Sequence, residues 1–251
     1  MKISGNTVLI TGGATGIGFA LASSFAKAGN RVLICGRREE KLREAKQKLP
    51  EIQTKKCDIS KESERRELKE WVGSDFGGLN VLVNNAGIQR LVDFKKGTED
   101  LMGEEDEIDT NLKAHIYLSA HLAPLLSEQP SSAVINISSG LGFVPLARYP
   151  VYSATKAALH SFSISLRHQL KDTPVRVFEI IFPTVKDTEL KSKQKLGAPL
   201  AWGMTSAEAV AEAMKAIESD TYEAVVGDEA KRLVAGSKSD PEGAFANINS
   251  R

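Results

Sequence analysis

Short, continuous apolar runs alternate with helix-patterned segments along almost the whole chain of 251 residues. Strands that are apolar throughout are typical of a parallel sheet buried on both faces, and the intervening helices supply its crossovers. Right-handed crossovers make such a sheet doubly wound. The pattern therefore predicts an α/β fold with a doubly wound parallel sheet of about seven strands. We expect strands at residues 7–11, 31–35, 52–57, 79–84, 133–137, 175–182 and 224–226, and helices at 16–28, 39–49, 61–71, 99–126, 151–171 and 207–219.

Composition and charge limit the kinds of partner that this protein is expected to bind. A net charge of +1 gives no indication of binding to nucleic acid or to an anionic membrane, and no apolar run is long enough to span a bilayer. Cys35 and Cys57 lack the Cys-x-x-Cys spacing, so we expect buried free thiols in a reducing compartment. These observations favour a cytoplasmic protein. Because no repeat or linker stands out, we expect a single domain over residues 1–251.

A glycine-rich turn joins the first predicted strand to the first predicted helix. Glycines permit a tight turn and a close approach of the backbone to a pyrophosphate, while the helix N-terminus supplies N–H donors. Such a turn can also be only a turn, but its place between a strand and a helix near the N-terminus favours dinucleotide binding. The spacing is Gly-x-x-x-Gly-x-Gly, and the candidate contacts are Gly12, Ala14, Thr15, Gly16, Ile17 and Gly18.

The end of the second predicted strand indicates which dinucleotide binds. An NAD site usually has a carboxylate there, which accepts a hydrogen bond from the ribose 2′-hydroxyl. This chain instead has Gly36 followed by Arg37 and Arg38, and a guanidinium suits a 2′-phosphate. Arg38 is also compatible with a solvent-exposed position at the start of the second predicted helix. We predict NADP(H) as cofactor, with Arg37 as the phosphate ligand and Arg38 as a second candidate.

A serine pair, a tyrosine and a lysine follow the strand predicted at 133–137. Tyr152 and Lys156 are four residues apart and therefore share a helix face, and no other tyrosine of the four has a lysine at this spacing. A free phenol, with a pKa of about 10, is a poor base at neutral pH, and a neighbouring ammonium favours its phenolate. Tyr-x-x-x-Lys alone is also a common surface pair. Ser138 and Ser139 at a strand end, together with the nucleotide turn, favour an active site.

Five motifs in this order resemble the short-chain dehydrogenase/reductase family of the single-domain type, over about residues 5–190. They are the glycine turn, Asp58, Asn84-Asn85-Ala86-Gly87, Asn111, and Ser139 with Tyr152 and Lys156. The resemblance implies a single-domain Rossmann fold with a cofactor half at about 1–130, a catalytic and substrate half at about 131–235 and a tail at 236–251. The sequence Asp-Thr-Glu-Leu at 187–190 is similar to a bacterial subgroup named after D-alanyl-lipoteichoic acid biosynthesis, a label that identifies no substrate.

The same resemblance implies roles for individual residues. Ser139 would hold the substrate oxygen and Tyr152 would exchange a proton with it. Lys156 would lower the pKa of Tyr152 and bind the nicotinamide ribose, and Asn111 would interrupt its own helix and hold a water that links Lys156 to solvent. Further cofactor contacts would come from Asp58, Ile59, Asn85, Ala86, Gly87, Pro183, Val185 and Thr188.

One stretch, residues 182–188, departs from the family pattern. The usual Pro-Gly-x-Val-x-Thr is replaced by Phe-Pro-Thr-Val-Lys-Asp-Thr. One alignment places Thr188 at the cofactor-binding threonine, and the other fits Val185 but puts Asp187 at that position. We expect Val185 and Thr188 to be the contacts, with a local shift of the backbone.

The substrate pocket is less clearly defined by the sequence. We expect its walls at residues 89–91, 141–145, Tyr149 and 186–202, which are mostly apolar and favour a hydrophobic aldehyde or ketone. A charged carbonyl substrate that reaches Arg90 or Arg148 is the alternative.

The four histidines lack paired ligand spacing, so no catalytic metal is expected. The acidic run at 104–107 is expected to be a solvated helix face.

The predicted function is therefore an NADP(H)-dependent oxidoreductase that acts on a small carbonyl or alcohol substrate. The family resemblance implies a homodimer or homotetramer, and the tail is expected either to be disordered or to clasp a neighbouring subunit. One rival is a non-enzymatic NADP(H)-sensing protein, a class that usually lacks the tyrosine or the lysine. The other is a nucleotide-sugar epimerase or dehydratase of the extended relatives, which have a different glycine spacing and a further substrate domain.

Overall fold

Seven strands form one sheet in which every paired neighbour is parallel. This computed structural model describes residues 1–103, 105–188, 190 and 202–250. The strands are β1 Thr7–Thr11, β2 Arg31–Gly36, β3 Gln53–Lys56, β4 Val81–Asn84, β5 Ser132–Ser139, β6 Val175–Phe182 and β7 Glu223–Val225. The helices are α1 Gly16–Lys27, α2 Glu39–Lys48, α3 Glu62–Phe76, α4 Ala114–Ser127, α5 Pro150–Gln169, α6 Ser206–Glu218, α7 Gly227–Ser239 and α8 Pro241–Asn249.

The sheet order is β3-β2-β1-β4-β5-β6-β7, which confirms the doubly wound fold predicted from the sequence. From β1 the chain builds outward to β2 and β3, and it then crosses to the other side to form β4. The carboxyl ends of β1 and β4 therefore flank the point where the strand order reverses. In open α/β sheets, this crevice is where ligands bind.

The apolar strands are buried on both faces because alternate side chains point to opposite sides of the sheet. In β1, Val8 and Ile10 join one apolar cluster and Leu9 joins the other, and all three are fully buried. Phe25 of α1 packs in the first cluster, and Leu118 of α4 packs in the second. Each such side chain contributes about 1.5–3 kcal/mol when it is removed from water. The two layers hold the strand ends at fixed positions.

The helix predicted at 99–126 begins later than expected. A π-helical turn covers Asp109–Lys113 and leads directly into α4. The guanidinium of Arg90 donates hydrogen bonds to the backbone carbonyls of Asp100, Leu101, Met102 and Glu105. These carbonyls are therefore engaged outside a helix, and residues 98–101 form turns instead.

The tail is helical and packs on its own chain, so the expectation of disorder is wrong. Asp240 caps α8 by accepting a 3.0 Å hydrogen bond from the backbone N–H of Gly243. At the other end of α8, Asn249 bonds the backbone of Pro145 and Ala147. The last helix thus contacts the loop that precedes α5.

Two further expectations concern the thiols and the membrane. Cys35 and Cys57 are both buried free thiols, as predicted. Among the described residues, no helix combines the length and the apolar character that crossing a bilayer requires.

Candidate active site

A cavity of about 640 Å³ lies at the carboxyl ends of β1, β4 and β5. Its volume falls within the range of small-molecule and cofactor sites. Every cofactor-binding and catalytic residue predicted from the sequence lines this cavity, with the single exception of Asn111. The site residues thus converge on one cleft although they come from distant parts of the chain.

The glycine turn forms one wall of the cleft, where β1 passes into α1. Gly16 has φ +54°, and a Cβ on Gly18 would lie 2.3 Å from the carbonyl oxygen of Gly12. Thr15, at the N-cap of α1, makes no side-chain capping bond to the helix, and its hydroxyl accepts a 3.3 Å hydrogen bond from Arg38 instead. The Thr15 side chain therefore does not cap the first turn of α1, which faces the cleft.

Thr11 fastens the end of β4 to this turn. Its hydroxyl oxygen accepts hydrogen bonds from the backbone N–H groups of Asn85 and Ala86, both at 3.0 Å. The Asn85 side chain donates to the Thr11 carbonyl at 2.8 Å. The position of Asn85 and Ala86 beneath the turn is thus fixed by Thr11, a residue that the sequence analysis did not single out.

A buried polar ladder crosses the middle of the sheet. Asn84 donates to Asn136 at 2.9 Å and to Ser119 at 3.0 Å, and Asn136 donates to Ser163 at 2.9 Å. These bonds tie β4 and β5 to α4 on one side and to α5 on the other. Asn136 was missed, although a lone amide inside an apolar strand is a signal that could have found it.

Asn111 is fully buried in the π-helical turn before α4, so the predicted interruption of its helix is present. Its side chain exchanges two hydrogen bonds with the backbone of Ile88, each 2.8 Å long. It also donates to the Thr155 hydroxyl of α5 at 3.3 Å. Asn111 therefore links the loop after β4 to the helix that carries Tyr152 and Lys156, from behind the cleft wall.

Ser139, Tyr152 and Lys156 meet on the wall of the cleft that β5 and α5 form. Ser139 ends β5, and its hydroxyl accepts a 3.2 Å hydrogen bond from the N–H of Leu141. Tyr152 and Lys156 lie on one face of α5 and are 7% and 3% exposed. The Lys156 ammonium donates a 2.8 Å hydrogen bond to the Ile137 carbonyl and lies 5.7 Å from the centre of the Tyr152 ring. A hydroxyl, a phenol and an ammonium are thereby brought together.

Burial controls the electrostatics of this group. Burial raises the pKa of Tyr152 to about 12, a hydrogen bond with Ser139 lowers it, and the charge of Glu107 raises it further. Burial lowers the pKa of Lys156 to about 8, against an opposing effect of Glu179. The expected lowering of the Tyr152 pKa is therefore not found, because desolvation of the phenol outweighs the hydrogen bond with Ser139.

In the acidic run at 104–107, Asp106 is exposed as expected, but Glu105 and Glu107 do not lie on a solvated helix face. Glu105 forms a 2.7 Å ion pair with Arg37 across the rim of the cleft, and these side chains are 31% and 35% exposed. Glu107 is 3% exposed and accepts a 3.0 Å hydrogen bond from the backbone N–H of Arg90. Burial raises the pKa of Glu107 to about 7. Glu104 lies outside the described residues.

Asp58 lies at the cleft in a tight turn after β3. Its carboxylate accepts hydrogen bonds from the N–H and the hydroxyl of Ser60, at 3.0 and 2.7 Å. Its own N–H donates to Glu64 at 2.6 Å. Lys61, rather than Asp58, is the N-cap of α3, so Asp58 shapes the turn while its side chain borders the cavity.

The irregular stretch after β6 places Thr188, not Asp187, against the glycine turn. A Cβ on Gly16 would lie 3.1 Å from Thr188, while Asp187 accepts a hydrogen bond from the N–H of Ser206 at the start of α6. Val185 is 7% exposed and forms a parallel bridge with Met204. Of the pocket wall expected at 186–202, residues 189 and 191–201 lie outside the described residues.

A second cavity of about 520 Å³ shares Gln89, Leu141 and Pro183 with the first. Its apolar lining includes Leu141, Leu146, Tyr149, Trp202, Met204 and Ile248, the last from the tail helix α8. Phe143 instead packs against the ring of His160 at 4.6 Å, and Val144 is buried, so residues 143 and 144 do not line it. Arg148 borders this cavity, whereas the guanidinium of Arg90 is occupied by the carbonyls described above.

The glycine turn, the Ser-Tyr-Lys group and the parallel sheet together match a known family. The profile of the short chain dehydrogenase family fits residues 6–198. The chain belongs to this family. It is 47% identical over 252 residues to the oxidoreductase DltE of Bacillus subtilis (strain 168). The alignment covers 100% of this chain and 99% of that protein. This short-chain dehydrogenase is therefore of the DltE-like subgroup that its Asp-Thr-Glu-Leu sequence indicated.

Two other proteins resemble this short-chain dehydrogenase. It is 36% identical over 188 residues to the NADP-dependent 3-hydroxy acid dehydrogenase YdfG of Salmonella typhi, covering 74% of this chain and 75% of that protein. A short chain dehydrogenase of Burkholderia cenocepacia J2315, solved in complex with NADP, superposes with a TM-score of 0.84 at 24% identity. That match covers 99% of both chains and shows the same fold.

Proposed function

We propose that this short-chain dehydrogenase is an NADP(H)-dependent oxidoreductase that interconverts a carbonyl compound and an alcohol, with Tyr152 as general acid and base. The observation that carries the proposal is the meeting of Ser139, Tyr152 and Lys156 in the same cleft as the glycine turn. A dinucleotide held by the turn would share the cleft with this group and would supply or accept the hydride there. A protein that only senses the cofactor needs no such group.

The cleft fits a dinucleotide phosphate on its own geometry. The Gly12 carbonyl oxygen leaves no room for a Cβ at Gly18, so the turn is tight. The side chain of Thr15, the N-cap residue of α1, does not cap the first turn of the helix. At the end of β2, Arg37 and Arg38 border the cleft where NAD sites carry a carboxylate. Bound NADP(H) would supply or accept the hydride. Further contacts would come from Asp58, Ile59, Asn85, Ala86, Gly87, Pro183, Val185 and Thr188.

The proton chemistry follows from the phenol of Tyr152. With a pKa raised to about 12, the phenol is protonated at neutral pH and therefore ready to donate. When a carbonyl carbon accepts hydride, its oxygen becomes basic and takes the phenolic proton, while the Ser139 hydroxyl holds that oxygen in place. Lys156 lies beside the ring and stabilises the phenolate that remains. Asn111 fixes α5 through Thr155, and with it the position of Tyr152 and Lys156.

The protonated phenol of Tyr152 suits carbonyl reduction near neutral pH, in which it donates the proton. Alcohol oxidation needs the phenolate as base, and burial makes that form scarce. The second cavity has Leu141, Leu146 and Trp202 in its lining beside charged residues such as Arg148 and Arg232, and it suits a substrate with an apolar body and a polar end. We therefore assign the substrate to the class of aldehydes and ketones with a hydrophobic part.

Two exposed apolar side chains support a homodimer or homotetramer. Tyr117 of α4 and Ile164 of α5 are each 47% exposed, on the two helices that the family resemblance associates with subunit contact. Multi-angle light scattering of the wild type and of Ile164→Glu tests this proposal. We expect a dimer or tetramer for the wild type and dissociation of the variant, and a wild-type monomer would contradict the proposal.

Consumption of NADPH with a panel of carbonyl compounds tests the proposed function. The panel consists of aliphatic and aromatic aldehydes, ketones, diketones and 3-oxo acids, each assayed with NADPH and NADH in parallel at pH 7. We expect NADPH-dependent reduction of at least one apolar member, and a much lower rate with NADH. Tight NADPH binding with no turnover of any member would contradict the proposal and favour a cofactor-sensing protein.

A further inference from the structure

A cluster of three potential metal ligands lies outside the catalytic group, on α5, β6 and β7. His160, Glu179 and Glu223 each offer one ligand atom, and these atoms all lie within 4.8 Å of one another. Glu179 and Glu223 are register partners on adjacent parallel strands, so their side chains share a face of the sheet. His160 approaches that face from α5, and its Nδ1 lies 2.7 Å from the Glu179 carboxylate.

The buried carboxylate of Glu179 is incompletely satisfied. Glu179 is fully buried, and within the part of the chain that the structure describes its Oε1 has no hydrogen-bond partner. Buried carboxylate oxygens normally have a donor or bind a cation. Arg167, the next basic residue along α5, donates to the backbone carbonyls of Val177 and Tyr222 rather than to the cluster. The second oxygen of Glu179 is thus a site for a positively charged ligand.

We propose that His160, Glu179 and Glu223 bind one divalent transition-metal ion of the Zn²⁺ class. One imidazole nitrogen with two carboxylate oxygens suits Zn²⁺ better than Mg²⁺ or Ca²⁺, which prefer oxygen ligands alone. Glu223 is exposed and the His160 side chain is 25% exposed, which leaves a path for the ion and room for water as a fourth ligand. The absence of paired ligand spacing around the histidines refers only to residues that are close together in the sequence. This cluster is instead assembled by strand register and helix packing.

A metal ion at this position would act on the active site. His160 follows Lys156 by one turn of α5, and the charge of Glu179 helps to maintain the ammonium form of Lys156. A cation bound by Glu179 would offset that charge and favour neutral Lys156. We therefore expect the metal to inhibit turnover at neutral pH, a consequence that rests on the proposed function, whereas metal binding itself does not.

Equilibrium dialysis of the full chain against Zn²⁺ alone, at pH 7.5 and in metal-free buffer, tests the site. Glu223→Gln removes an exposed ligand, with Glu218→Gln on α6 as the matched control. His160→Gln removes the imidazole, with the exposed His168 of the same helix changed to glutamine as its control. Circular dichroism verifies that each variant folds. If His160→Gln disturbs α5, the binding result for Glu223→Gln decides the test.

We expect one Zn²⁺ per chain in the wild type and in both controls. Glu223→Gln and His160→Gln should weaken binding by about tenfold or more, since each removes one of three ligands. Lowering the pH to 5.5 should also weaken binding, because protons compete for the imidazole. Absence of saturable binding in the wild type, or unchanged affinity in both ligand variants, would overturn the proposal whether or not the protein reduces any carbonyl compound.

Discussion

The ammonium of Lys156 lies 5.7 Å from the centre of the Tyr152 ring and donates its hydrogen bond to the carbonyl of Ile137. Both side chains are buried where α5 packs on the end of β5. Burial moves both pKa values toward the neutral forms, to about 12 for Tyr152 and about 8 for Lys156. At neutral pH the pair is therefore a protonated phenol beside an ammonium, and the ammonium loses its proton close to physiological pH.

Titration of Lys156 should appear in the pH profile of carbonyl reduction. We expect kcat/KM to be flat from pH 6 to about 7.5 and to fall as Lys156 loses its proton near pH 8. Steady-state rates with saturating NADPH measure this profile. In Lys156→Arg the charge persists at every pH used, so the fall should disappear even if the overall rate is lower. A wild-type rate that stays constant to pH 9.5 would count against this role for Lys156.

Arg37 should determine the preference for NADPH. A charge-assisted hydrogen bond to the 2′-phosphate contributes about 1.5–3 kcal/mol, so Arg37→Ala should raise the KM for NADPH by about tenfold to 100-fold. The KM for NADH should change little. Arg43→Ala, which removes an exposed arginine of α2, is the charge-matched control. Equal increases for NADPH and NADH would show that Arg37 does not contact the 2′-phosphate.

Glu105 should compete with the cofactor for the same guanidinium. Its carboxylate lies 2.7 Å from Arg37, so binding of a 2′-phosphate has to displace or share this ion pair. We expect Glu105→Gln to lower the Kd for NADPH by about two- to fivefold, since surface ion pairs of this kind contribute up to about 1 kcal/mol. Fluorescence titration measures the Kd, and Asp109→Asn, next to the exposed Lys113, is the control. Weaker NADPH binding in Glu105→Gln would indicate that Glu105 orients Arg37 instead.

Glu107 should make the protein less stable as the pH rises. Its pKa is raised to about 7 in the folded protein, so between about pH 4.5 and 7 the unfolded chain binds fewer protons than the folded one. The free energy of unfolding therefore falls across this window. Relative to Glu107→Gln, the wild type should lose about 2 kcal/mol between pH 5 and pH 8, a value reduced for partial screening. Urea titrations at both pH values measure it, and a difference that is independent of pH would contradict a buried, proton-binding Glu107.

The features that the sequence predicted well are local. The apolar strands, the glycine turn and the Tyr-x-x-x-Lys spacing each occupy one short segment whose geometry follows from its own residues. The interruption at Asn111 was also predicted, through the family resemblance, and the structure shows it as a π-helical turn.

The features that the sequence could not predict depend on contacts between distant segments. The acidic run reads as a solvated helix, but the guanidinium of Arg90 engages the carbonyls before it, and Glu105 and Glu107 turn inward. The pKa of Tyr152 depends on how deeply α5 buries the phenol, which spacing alone does not state. The tail is helical because Asp240 caps α8 and Asn249 bonds the loop before α5.

The central claim is that the phenol of Tyr152 exchanges a proton with the substrate oxygen, and its removal is the most direct test. Turnover of a carbonyl compound from the panel is compared in wild type, Tyr152→Phe and Tyr117→Phe, the last being an exposed tyrosine 47% accessible to solvent. We predict that Tyr152→Phe binds NADPH as tightly as the wild type but loses kcat by about 100- to 10,000-fold, while Tyr117→Phe turns over normally. Wild-type turnover by Tyr152→Phe would contradict the account.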